Sequence, residues 1–241
     1  MKRFLTSAVL AIMLIGAGLT VYWGRLGYFG GDLYVPVKAQ GTPAPAHRGL
    51  AAVIISGDMG FKVGMGRRIA DRLAADGIPV LGVNSLVYFR TRRSPAEVRF
   101  LLTDAVRRGL AFGHADRLLL IGQSYGADMV HVGLVGLPPP LRAKLAMVAL
   151  VVPTDTVMYQ ASPAEMLDLV PADAAAVDTG RRLDWVPLLC VHGREEENSL
   201  CPLLHQPNVR VIVMPGGHPL RRDADGLYQH LIESLDSVAM R

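Results

Sequence analysis

Gly122-Gln-Ser-Tyr-Gly126 is the segment of this chain best suited to covalent chemistry. It follows the apolar run Leu118–Ile121 and precedes a helical pattern that begins at Ala127. G-x-S-x-G in that setting makes a sharp strand-to-helix turn that lifts the serine hydroxyl above a sheet edge. A serine hydroxyl is a weak nucleophile, so Ser124 needs a base to take its proton. Chain order selects His218, in Pro215-Gly-Gly-His218 after the apolar run Val209–Met214, because this topology runs serine, acid, histidine. His47, His114, His131, His192, His205 and His230 read as surface or capping residues.

The acid is expected in the loop after the preceding strand, Val186–His192. Gly193 is followed there by Arg194-Glu-Glu-Glu-Asn198, and Glu196 stands at the Gly-x-x-acid offset. Glu195, Glu197 and, after an earlier strand, Asp155 remain alternatives. Acyl transfer also needs N–H groups preset for the oxyanion, each worth roughly 3–4 kcal/mol. One candidate is the N–H of Tyr125; the other belongs to Asp58 or Met59 in the short loop Ser56-Gly-Asp-Met-Gly60. Asp58 is in addition a candidate for holding a cationic substrate group, with loop capping as the plainer reading. Cys190 and Cys201 flank the acid loop; a bridge would pin Glu196, and two buried free thiols are the alternative. No metal or organic cofactor is signalled.

These residues need a scaffold, and the hydropathy pattern describes one. Apolar residues make up 51% of the chain and charged residues 19%, which excludes wholesale disorder. Strands are expected at Leu50–Ser56, Ile78–Val83, Arg117–Gly122, Ala146–Val152, Val186–His192 and Val209–Met214. Helices are expected at Phe61–Asp76, Pro95–Leu110 (capped by Ser94), Gly126–Gly136 and Ala224–Val238. Alternation of this kind demands an α/β architecture, a mostly parallel sheet with helices on both faces. Residues 154–185 show no clear period and read as an excursion or cap.

Ahead of this domain, placed at 49–241, Lys2-Arg3 precede an uncharged run of 21 residues, Phe4–Gly24. At about 1.5 Å per residue the run spans a hydrocarbon core of about 30 Å. Residues 1–24 therefore read as a signal anchor or a signal peptide, with Tyr22 and Trp23 at the interface and a weak cleavage site at Gly16-Ala-Gly18. Residues 25–48, rich in Pro, Ala and Gly, read as a linker. Five bases and one acid lie in residues 1–48, which leaves 20 of each sign in the domain. That balance argues against nucleic acid as a partner.

Taken together, Ser56-Gly-Asp-Met-Gly-Phe61, Tyr88-Phe-Arg-Thr-Arg-Arg93, Gly122-Gln-Ser-Tyr-Gly-Ala-Asp128, Cys190 with Cys201, and Pro215-Gly-Gly-His218 resemble the VirJ/AcvB bacterial virulence proteins over roughly residues 49–240. Met59 and Phe61 depart from that family's Ser-Gly-Asp-Gly-Gly-Trp pattern. The resemblance implies an α/β-hydrolase fold, a periplasmic location, and a serine ester hydrolase acting on aminoacyl-phosphatidylglycerol, an anionic phospholipid carrying an amino acid. It also implies secretion-system proteins as partners. Arg90, Arg92 and Arg93 are then candidates for meeting the lipid phosphate, with ordinary exposed charges at a helix entry as the plainer alternative, and Arg93 is taken with Asp58 as substrate-binding. The alternative is a non-catalytic periplasmic binding or chaperone module for type IV secretion substrates on the same fold.

Overall fold

Unbroken apolar strands must be covered on both faces, and that requirement organises the molecule. The structure is a computed structural model and describes residues 2–28, 30–162 and 170–239. In chain order the strands are β1 (Tyr34–Val37), β2 (Leu50–Ile55), β3 (Val80–Val83), β4 (Arg117–Gln123), β5 (Leu145–Val151), β6 (Thr156–Val157), β7 (Ala174–Ala175), β8 (Leu188–Gly193) and β9 (Val209–Met214). The helices are α1 (Lys2–Leu26), α2 (Gly66–Ala75), α3 (Ser85–Phe89), α4 (Pro95–Gly113), α5 (Tyr125–Leu134), α6 (Pro139–Arg142), α7 (Val177–Gly180) and α8 (Ala224–Ala239).

Seven strands form one sheet in the order β1-β3-β2-β4-β5-β8-β9, parallel except for β1. Alternate residues serve opposite faces. Ala51, Val53, Ile55, Leu118 and Leu120 join the cluster beneath α3, α4 and α5. Leu50, Ala52, Ile54, Leu119 and Ile121 join the cluster beneath α2 and α8. Each Val, Leu or Ile among them contributes roughly 1.5–3 kcal/mol when fully buried, so the sheet is held from both sides. The parallel pairing brings the carboxyl ends of β2, β4, β5, β8 and β9 to one edge, where ligands of open α/β sheets bind.

Several expectations change. The segment 25–48 is not all linker, because Tyr34–Val37 pairs antiparallel with β3 as an edge strand. Four residues are too few to show a period, and Pro36, which lacks an N–H, is tolerated at an edge. His47, read as exposed, is buried with Nε2 2.8 Å from Asp236 Oδ1. The helix expected from Phe61 starts only at Gly66, since Gly60 and Gly64 have φ of +80° and +86° and break the approach. By contrast Ser94 caps α4 as expected, in a reciprocal box with Glu97.

The excursion at 154–185 carries the β6–β7 hairpin and α7, and buries Val157, Ala161, Ala176 and Leu183 in the core. Its residues 163–169 lie outside the described ones. α7 also supplies Thr179, whose Oγ1 is 2.7 Å from Nδ1 of His131. His131 was expected at a surface or a cap; it is fully buried in α5, and burial lowers its pKa from 6.5 to about 3. The folded protein therefore refuses a proton that the unfolded chain accepts. The His131 contribution to stability should fall as pH drops through 6.5 towards 3, by about 2 kcal/mol between pH 7 and pH 5. The raised pKa of Asp128 acts in the opposite sense, so urea unfolding at the two pH values isolates the His131 part as the difference in slope between the wild type and His131→Asn.

Candidate active site

Ser124 sits where β4 turns into α5 with φ 52° and ψ −127°, a conformation that costs a non-glycine residue about 1–3 kcal/mol. Neighbours hold it there: its N–H donates to the Val151 carbonyl at 2.8 Å, and its carbonyl accepts from Ala127 at 2.7 Å. Gly126 is required by close approach, since a Cβ there would lie 2.3 Å from the Ile55 carbonyl.

Three side chains named from the sequence meet in one line. Ser124 Oγ is 2.7 Å from His218 Nε2, and His218 Nδ1 is 2.5 Å from Glu196 Oε1. Glu196 is held from behind, its Oε2 accepting from the Gly193 N–H at 3.1 Å. Its side chain is 6% exposed, whereas His218 is 41% exposed and faces the opening. The acid and histidine loops are laced together by Arg194 N–H to the Met214 carbonyl (2.9 Å) and Glu195 N–H to the Gly216 carbonyl (3.1 Å). Glu195 and Glu197 are exposed, and neither bonds to the imidazole among the described residues; Glu195 pairs loosely with Arg221 at 3.8 Å. Asp155 lies nearby on the rim of a cleft shared with His218.

Asp58 and Met59 do lie in the loop facing Ser124, and both line a cleft of about 490 Å³ with Ser124 and His218. Burial raises the Asp58 pKa, and the N–H groups of Met59 and of Asp58 itself, with His218, pull it partly back. The loop amides expected to serve an oxyanion thus already face a carboxyl group. Tyr125 supplies the other expected amide directly after the serine.

Arg93 is not at this site. It donates to the Tyr88 carbonyl at 3.0 Å and to Glu97 at 3.1 Å, and lies 4.4 Å above the Tyr88 ring. Arg92 pairs with Asp173 and Arg90 donates to Tyr28, so these arginines hold loops together. The cations that do line the serine cleft are Arg68 and Arg222, which carry no motif in the sequence. Asp128 was also missed. It is fully buried, accepts from the N–H and Oγ1 of Thr154 at 2.9 Å each, and so fixes the loop after β5. Burial, with the charges of Glu196 and Asp155, pushes its pKa well up. Its one sequence signal was an acid in the first turn of an apolar helix.

Cys190 and Cys201 form a disulfide, both fully buried, that brackets the Glu196 loop. No group of three or more His, Cys, Asp or Glu residues suited to a metal occurs among the described residues.

This sheet, with its serine at the β4 turn, is the α/β-hydrolase fold. Est1E from Butyrivibrio proteoclasticus superposes with a TM-score of 0.61 at 12% identity, over 86% of this chain and 94% of that one, and has also been solved with ferulic acid bound. MenH from S. aureus gives 0.57 at 13% identity over 86% and 99%. Proline iminopeptidase from Mycobacterium smegmatis gives 0.55 at 16% identity over 85% and 95%. At such identities the likeness is one of fold. Residues 49–239 match the family described as bacterial virulence protein (VirJ), and the chain belongs to that family. No curated protein matches the sequence significantly.

The bridge closes a loop over a sequence separation of 11. Cys190→Ala/Cys201→Ala should lower the unfolding free energy by roughly 2–3 kcal/mol. Urea titrations of the variant and of the oxidised wild type give the comparison; equal midpoints would remove the bridge from the account of stability.

Proposed function

We propose that this protein is a serine ester hydrolase acting on an aminoacylated anionic phospholipid at the face of the membrane away from the cytoplasm. The observation that carries the reading is the unbroken line from Ser124 Oγ through His218 to Glu196, at 2.7 and 2.5 Å. Ser124 Oγ attacks the ester carbonyl while His218 Nε2 takes its proton, and Glu196 orients the imidazole and stabilises its charged form. The Tyr125 N–H and a loop amide at Asp58 or Met59 meet the tetrahedral oxyanion. The alcohol leaves with the proton held by His218. Water, deprotonated by His218, then attacks the acyl-serine and releases the acid and Ser124. From an aminoacyl-phosphatidylglycerol the products are the amino acid and phosphatidylglycerol.

Charge around the serine supports the substrate class. Arg68 and Arg222 line the cleft on one side of His218. Asp155, Glu195 and Glu197 line another, of about 430 Å³, that also reaches His218. An ester joining an anionic phosphodiester to a cationic amino acid matches that division, and Asp58, which lines the arginine cleft and also a smaller one with Ser124, Tyr125 and Thr154, can receive the ammonium group from that smaller side. The apolar helix near the amino terminus and the disulfide favour a membrane-attached protein in an oxidising compartment.

Purified protein should hydrolyse aminoacylated phosphatidylglycerol in mixed micelles, and Ser124→Ala should not. Glu196→Gln should lower kcat about 10⁴-fold, while Glu195→Gln and Glu197→Gln leave it nearly unchanged. Absence of turnover in the wild type would favour the binding-module reading.

Asp58 gives a separate pH signature. Its pKa is raised, so its carboxylate is present above that raised value and is lost as pH falls through it. KM for a cationic ester should therefore rise at low pH relative to KM for a neutral ester of equal size. The contrast should be roughly tenfold or more, equivalent to about 1.5 kcal/mol for a hydrogen bond between charged groups. Asp58→Asn should erase the difference; an identical pH response of the two esters in the wild type would count against this role.

A further inference from the structure

The last turn of α1 is built into the domain. Leu26 is buried, and Trp23 and Tyr28 pack against the same apolar cluster that underlies α3 and α4. The Trp23 and Tyr28 rings meet edge to face at 5.4 Å, and Arg90 donates to the Tyr28 carbonyl at 3.4 Å. The place of attachment is the rim of the serine cleft. Gly60 lines that cleft, and a Cβ on it would lie 3.1 Å from the Leu26 carbonyl and 2.8 Å from Asn84 Oδ1. A Cβ on Gly27 would lie 3.2 Å from Nδ2 of the same Asn84. One buried amide is thus wedged between the end of α1 and the loop that carries Asp58 and Met59.

Ahead of this attachment the helix is bare. Val9, Ile12, Leu14, Leu19 and Val21 are exposed, and 6% of the apolar window Val9–Leu26 is buried. A helix of that length and hydropathy is long and apolar enough to cross a bilayer, which would put Tyr22 and Trp23 at the level where aromatic side chains favour the interface. From Trp23 to Leu26 the helix rises only about 5 Å, so the interface and the cleft rim lie within a few ångströms of one another along the helix axis.

We infer that α1 is a rigid strut that crosses the membrane and holds the mouth of the Ser124 cleft in the headgroup layer of that same membrane. The partner is a lipid surface, and the substrates within reach are amphiphiles whose ester lies at headgroup depth. The strut confines the enzyme to lipids of the bilayer it is anchored in. Only the substrate part of this inference rests on the ester-hydrolase reading; the depth of the cleft does not.

The chain's two cysteines are joined to each other, so a single introduced cysteine can be labelled cleanly. Full-length Ser124→Ala protein, reconstituted in phosphatidylglycerol–phosphatidylethanolamine vesicles, would carry a fluorophore at Val63→Cys on the cleft rim. A second sample would carry it at Lys144→Cys, exposed just before β5, at the opposite end of the strands. A headgroup nitroxide should quench Val63→Cys several-fold more than Lys144→Cys. Inserting about a dozen Gly/Ser residues between Arg25 and Leu26 adds a reach of about 20 Å and should bring the two signals together. In protein with Ser124 intact, the insertion should slow hydrolysis of an aminoacyl lipid in the same vesicle several-fold and leave a soluble ester unaffected. Equal quenching at the two positions without the insertion overturns the inference. So does an insertion that changes neither quenching nor lipid hydrolysis, or a mass showing that membrane-extracted protein lacks α1. The expected quenching with no turnover of either ester would sustain the strut and reject the hydrolase reading.

Discussion

A serine hydroxyl loses its proton near neutral pH only while a neutral imidazole stays within hydrogen-bond reach, and here that contact joins residues 94 positions apart. Its 2.7 Å depends on two strands that are not neighbours: Ser124 leaves β4 and His218 follows β9, with β5 and β8, the strand before Glu196, lying between them. Such strands keep their ends level only if the sheet cannot shear, and burial on both faces prevents that. The last adjustment is local. The acid loop donates two backbone hydrogen bonds to the segment leading to His218, and the Cys190–Cys201 bridge closes the base of the acid loop. A loose sheet would still contain all three residues, but not their line.

Around that line the protein buries ionisable groups of different kinds for different ends. Glu196 is nearly covered, yet it faces both an imidazole and the Gly193 N–H, so its charge has partners. Asp128 and His131, three residues apart on α5, are fully buried with raised and lowered pKa respectively, so each is driven towards its neutral form. Their work is positional: Asp128 holds Thr154, and His131 contacts Thr179, which together fix two parts of the excursion over the site. Asp58 is the exception. It is desolvated, the amides of its own loop and His218 offset that burial only in part, and it stands at the cleft, which is the basis of the ammonium-binding role proposed for it.

Much of this could be read from the chain because the informative residues are constrained locally. Gly122-Gln-Ser-Tyr-Gly126 carries its own turn geometry, Ser94 declares a helix start, and continuous Val/Ile/Leu runs declare doubly covered strands. The Gly-x-x-acid offset picked Glu196 from three adjacent glutamates that composition alone does not separate. What stayed hidden was long-range. Tyr34–Val37 becomes a strand only because β3 offers an open edge. Arg93 stands i,i+4 from Glu97, a pairing the spacing does suggest, whereas its bond to the Tyr88 carbonyl comes through a turn that spacing does not reveal. Arg68 and Arg222 reach the cleft from helix and loop positions with no shared pattern, so only the fold brings them together. Asp128, His131 and His47 show the same limit, since burial of a polar side chain is decided by elements far away in sequence.

Backbone strain ties these threads together. Six non-glycine residues among those described have positive φ: His114, Ser124, Val152, Leu220, Arg221 and Arg222. His114 ends α4 as a left-handed cap, a common and inexpensive use. The other five surround the catalytic candidates. Val152 is β-branched, for which such a φ is a true outlier, and it lines the serine cleft. Leu220 to Arg222 form a left-handed turn just beyond His218, held down by the fully buried Leu220 and by Arg68, whose Nη1 reaches the Arg222 carbonyl at 3.4 Å. That turn folds the chain back so that His218 faces Ser124 while Arg222 enters the cleft. Strain of about 1–3 kcal/mol per residue persists only where surrounding packing outweighs it. Here it falls on the turn that carries Ser124, on Val152 after β5 and on the turn beyond His218, three segments that meet at the serine cleft and fix where its side chains point.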